Sequence, residues 1–198
     1  MTINDLKLSA VIADPSIRDR HRIMSIDPGT NHLGYAISDV YLGVPDSLMT
    51  VVHVETLDAF DLARRYTTLL EVHGEKVTKL YALEQALKRI IERFKPDIVI
   101  SESPYMARFP NAFSALIECL KTIRSVLIEY DPCMALKLID PATIKSRVGV
   151  SGKSGNKDLM TNAIKRLINE EKISFIDTSI LDEHSIDAIA VGYAFKSL

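Results

Sequence analysis

A chain of 198 residues with 47% hydrophobic content suits one α/β domain with an ample core. No apolar run approaches a membrane span, and the opening Met1-Thr2-Ile3-Asn4-Asp5 has no basic n-region, so an intracellular protein is expected, not a secreted or membrane one. The net charge of −2 excludes a wholly basic nucleic-acid binder, but the charge is uneven: Lys137 to Lys172 holds eight Lys/Arg and four acids, a net +4 against −6 elsewhere. The two cysteines, Cys119 and Cys133, form no CxxC and have no histidine at zinc-ligand spacing, so buried or half-buried thiols are expected.

Residues 1–21 show no period and read as an N-terminal arm or extra edge segment, leaving 22–198 as the domain. Arg22 to Ile26 is a short strand closed by Asp27-Pro28-Gly29, a turn signal. Leu33 to Val40 and Leu48 to Thr56 suit two further strands, and the short turns predict an antiparallel meander. Residues 57–76 are polar and read as a loop with some helix. Val77 to Phe94 has Leu80, Leu83, Leu87, Ile90 and Ile91 at helical spacing, stopped by Lys95-Pro96. Asp97 to Ser101 is a short apolar strand of the kind buried on both faces. Ala112 to Tyr130 is helical, Met134 to Ile139 a fifth strand ended by Asp140-Pro141, and 146–156 a Gly/Ser-rich basic loop. Helices over Asp158 to Asn169 and Asp182 to Lys196 close the chain. The order βββ-α-β-α-β-α-α predicts an α/β protein with an RNase H-like layout, a mixed five-stranded sheet with helices on both faces.

Three carboxylates stand out in that order: Asp27 and Glu102 at strand ends, and Asp187 within the last helix. A single acid at a strand end is commonly a turn former or cap; three such acids in this element order change the weighing. In the last helix His184, Asp187, Val191 and Ala194 share one stripe, and the abundance of small residues lets the helix approach a sheet closely. A carboxylate buried there needs a partner, and a cluster of acids raises its own pKa values. A divalent cation resolves both problems. Mg²⁺ prefers carboxylate oxygens, with Mn²⁺ as substitute, and two ions held by shared acids suit phosphodiester hydrolysis. His184 is then a ligand, or a group that positions phosphate or water, or a helix N-terminal histidine beside Asp182 and Glu183.

At these residues the sequence resembles the RuvC family of Holliday junction resolvases. IMSIDPGTNHLGYAI is similar to its first motif, IVISESPYMARFPNAFSAL to its second, IDPATIKSRVGVSGKSGNKDLM to its third and HSIDAIAVGYA to its fourth, in order across about residues 22–198. The resemblance implies that Asp27, Glu102, His184 and Asp187 form the catalytic, metal-binding set. It implies that Tyr105 contacts bases near the crossover; the alternative is a core aromatic after a strand. It places Arg108, Lys145, Lys153 and Lys157 among the DNA contacts. It also implies a homodimer cutting opposed strands of a four-way junction in DNA recombination and repair, with no small-molecule cofactor. Two features depart from the pattern: about twenty residues precede the first strand, and the Asp27-to-Glu102 interval is longer than typical. Such divergence would suit a phage or mobile-element version.

The expected function is therefore metal-dependent, structure-specific cleavage of four-way DNA junctions. Two rivals share the residues: a nuclease of the same fold acting on flaps, other branched DNA or RNA, and a non-catalytic junction-binding protein, against which the intact acid set counts.

Overall fold

The computed structural model describes residues 20–44, 46–104, 110–150 and 158–198. Its centre is a five-stranded sheet in the order β3-β2-β1-β4-β5. Strands β1 (Arg20–Asp27), β2 (His32–Tyr41) and β3 (Thr50–Asp58) form the expected antiparallel meander. Strands β4 (Ile98–Glu102) and β5 (Leu136–Ile139) extend it on the other side of β1, each parallel to its neighbour. Arg20 and His21, read as part of the arm, already belong to β1, while residues 1–19 lie outside the described residues.

Alternation along the strands sorts the core into two layers. Ile23, Ala36, Val40 and Ile100 face one side, under helices α4 (Pro141–Arg147), α5 (Asp158–Asn169) and α6 (Glu183–Lys196). Met24, Ile26, Leu33, Tyr35, Ile37 and Val99 face the other, under α2 (Thr67–Phe94) and α3 (Pro110–Tyr130). Helices thus cover both faces, as expected. Cys119 is buried in the second layer, but Cys133 is exposed, contrary to expectation.

Two segments depart from the predicted elements. Residues 57–76 are largely helical: α1 (Ala59–Ala63) is capped by Asp58, whose side chain accepts from the amides of Phe60 and Asp61. After it α2 runs from Thr67, interrupted at Gly74, whose φ of 78° breaks the helical spiral. The second missed helix is α4. Asp140 is its N-cap, accepting from the Thr143 amide, with Pro141 in the first turn. That aspartate-proline pair starts a helix as well as ending a strand.

Candidate active site

Asp27 and Glu102 come together because β1 and β4 are parallel neighbours in matched register. Ile26 pairs with Ser101, so each acid is the next residue on its own strand. Both side chains fall on the face covered by α6. The first turn of α6 is fixed there by β2 and β3. Asp182 caps the helix, accepting from the Ser185 amide, and Thr56 Oγ1 on β3 donates to Asp182 Oδ1 at 2.7 Å. Gly34, paired with Asp27 across the meander, lets the helix descend: a Cβ there would stand 2.1 Å from the His184 carbonyl oxygen. His184 consequently reaches Asp27, with Nδ1 2.7 Å from Oδ2. One helical turn on, Asp187 enters the same electrostatic environment.

The charges are strongly coupled. Burial, then the negative charges of Asp27 and Asp187, push Glu102 up to about 7. Burial and Asp27 raise Asp187 to about 6. The hydrogen bond to Asp27 raises His184 above the usual imidazole value. Lys145, exposed on α4, acts in the opposite sense on both Glu102 and Asp187, so its cation is within electrostatic reach of both.

Asp27 and His184 are thus in direct contact, and Glu102 and Asp187 lie within electrostatic reach of Asp27. Among the described residues, however, no three His, Cys, Asp or Glu side chains converge tightly enough to make a ready-built metal cage. The donor set is still of the right kind for Mg²⁺ or Mn²⁺, since it offers hard carboxylate oxygens whose mutual repulsion a cation relieves. Tyr105, Arg108, Lys153 and Lys157 lie outside the described residues.

One neighbour was not singled out from the sequence. The imidazole of His32 stacks on that of His184, with ring centroids 5.4 Å apart and planes 13° from parallel. His32 Nε2 lies 3.6 Å from Asp58 Oδ2, on the residue paired with it across the β2–β3 ladder. Strand parity carries the signal. His32 and Gly34 share a face of β2, and Gly34 is opposite Asp27, so a histidine two residues earlier belongs on the active face.

No family profile matches the chain. It is 25% identical over 176 residues to a crossover junction endodeoxyribonuclease RuvC of Dehalococcoides mccartyi, covering 89% of this chain and 92% of the relative. It is 27% identical over 172 residues to the RuvC endonuclease of Geobacter sulfurreducens, covering 86% and 89%. In three dimensions it resembles RuvC of Thermus thermophilus with a TM-score of 0.63 at 16% identity, over 87% of this chain and 92% of that one. A yeast mitochondrial Holliday junction resolvase gives 0.62 at 15% identity, over 100% and 86%. The fold is the RNase H-like fold of these structures, and the sequence likeness runs nearly end to end.

Proposed function

We infer that this chain is a RuvC-type crossover junction endonuclease, hydrolysing DNA phosphodiesters at four-way junctions. The observation that carries this reading is the meeting of Asp27, Glu102, His184 and Asp187 on one sheet face, in a chain that matches RuvC endonucleases along almost its whole length. The nuclease domain then begins by Arg20, where β1 starts, and runs to residue 198. It works inside the cell, where its substrate is, as a homodimer that presents two sites to opposed strands.

Asp27, Glu102 and Asp187 would hold Mg²⁺ or Mn²⁺, as one ion or two. When bound, the metal supplies charge neutralisation at the phosphate and lowers the pKa of a coordinated water. The protein's own groups do the rest. His184, hydrogen-bonded to Asp27, is placed to orient a carboxylate oxygen or a water. Lys145 adds a positive charge within electrostatic reach of Glu102 and Asp187, which eases the approach of a phosphodiester to an otherwise repulsive surface. Phosphate contacts of this kind position DNA without reading its sequence, so junction shape would dominate recognition.

Purified protein should cut a synthetic four-way junction in Mg²⁺ or Mn²⁺ and leave it intact in EDTA. Flap, duplex and RNA/DNA hybrid substrates should be cut far more slowly. Preference for a flap or hybrid would move the substrate assignment to another nuclease of this fold. Binding of the junction without cleavage in either metal would favour the non-catalytic reading.

A further inference from the structure

We propose that His32 is a positioning residue for His184: its ring stacks on the His184 imidazole and fixes the plane in which Nδ1 meets Asp27. The proposal rests on the nuclease reading for its catalytic consequence, but its structural half stands on the geometry alone. The two rings are nearly parallel at a separation typical of offset stacking. His184 stands on the first turn of α6, where its side chain is about one-third exposed; among the described residues Nδ1 bonds Asp27 at 2.7 Å, while Nε2 has a looser approach to the Glu183 carboxylate at 3.9 Å. One short hydrogen bond and the Cβ tether still let the ring rock through small changes in χ1 and χ2. Contact over its face removes that freedom.

His32 is itself braced. Asp58, directly across the ladder, lies beside its Nε2 and also caps α1. The preceding residue is tied down from two sides. The Asn31 carbonyl accepts from the Ala59 amide at 2.8 Å, and Asn31 Oδ1 accepts from Lys79 Nζ at 2.7 Å. The segment 57–79 therefore grips the β1–β2 turn from outside, and His32 transmits that grip to the active face. His32 remains half-exposed, which matches a residue at the mouth of the site and not one in the core.

The test compares His32→Ala with His32→Phe, since phenylalanine keeps a stacking face and discards the imidazole nitrogens. In metal-free protein, NMR should show ring-to-ring cross-peaks between residues 32 and 184 in the wild type and in H32F. In H32A the His184 ring protons should lose their ring-current shift. On junction DNA in Mg²⁺, kcat of H32A should fall roughly 2- to 10-fold with KM little changed, and H32F should recover most of the loss. A His184 ring whose signals are unmoved in H32A would overturn the proposal. So would an H32F variant as impaired as H32A through a raised KM, because that pattern marks a direct DNA contact by the imidazole. If wild-type protein cuts no junction, the nuclease reading fails, while the ring signals still decide whether His32 positions His184.

Discussion

Glu102→Gln should make the metal-free protein more stable at pH 8 while removing its activity. Glu102 ionises at about 7 in the fold against 4.5 for a free side chain. At roughly 1.4 kcal/mol per pH unit, that difference costs the folded state about 3 kcal/mol once both states are ionised. The sign follows from proton uptake. Below about pH 4.5 the carboxyl is protonated in both states, and nothing is lost. As the pH rises the unfolded chain ionises first, the folded one keeps its proton to about 7, and stability falls throughout that interval. Asp187, raised from 3.8 to about 6, adds a similar fall at lower pH, and the two are coupled through Asp27 and so do not simply sum. Glutamine keeps the shape without the charge, so urea denaturation in EDTA should show E102Q more stable by about 1–3 kcal/mol at pH 8, with the advantage vanishing near pH 4.5. Mg²⁺ should raise the Tm of the wild type more at pH 8 than at pH 5.5, and that of E102Q less at both. Parallel pH profiles for the two proteins, or a less stable E102Q at pH 8, would refute the account of a self-repelling acid cluster.

Asp27→Asn should cut the cleavage rate by at least about 10²-fold while leaving junction binding measurable in a mobility-shift assay, because the amide keeps the shape and gives up the charge. Gly34→Ala would drive a methyl group into the His184 backbone, so a loss of about 2–3 kcal/mol in denaturation and a much slower cleavage step are expected together; normal turnover would mean that the helix end has room to give. Lys145→Ala should weaken junction binding and lower the slope of log affinity against log salt by about 1, as measured by fluorescence anisotropy. At the far end of β1, the buried Asp39 carboxylate takes a bidentate pair of bonds from Arg22, at 2.9 and 3.1 Å, and a further contact from Arg20. These arginines hold Asp39 below the usual carboxylate range, so its contribution is lost only under acid conditions. Asp39→Asn should cost about 1–2 kcal/mol at neutral pH without altering kcat.

Much of this was legible in the chain. Short apolar-rich stretches closed by turn signals marked the strands, and the acids were conspicuous because Asp27 and Glu102 end apolar strands and Asp187 sits within an apolar helix. The α1–α2 start was only partly legible, as a loop with some helix, since it is held by local polar contacts that leave no apolar stripe: the Asp58 cap and the Lys79–Glu75 pair. Helix α4 carried a readable signal in Asp140-Pro141, but that pair also suits a strand end, and only its side-chain bond to Thr143 decides between them. His32 was hidden for another reason. Its partner lies far along the sequence, and the stacking depends on how closely α6 settles onto Gly34.

The parallel pairing of β1 with β4 has a consequence for how such a protein changes over time. The chain between the two acids makes an excursion through β2, β3, α1 and α2 before returning, and the return is fixed by the ladder with β1 and not by the length of the detour. Residues can be gained or lost in the loops of that detour without displacing either carboxylate.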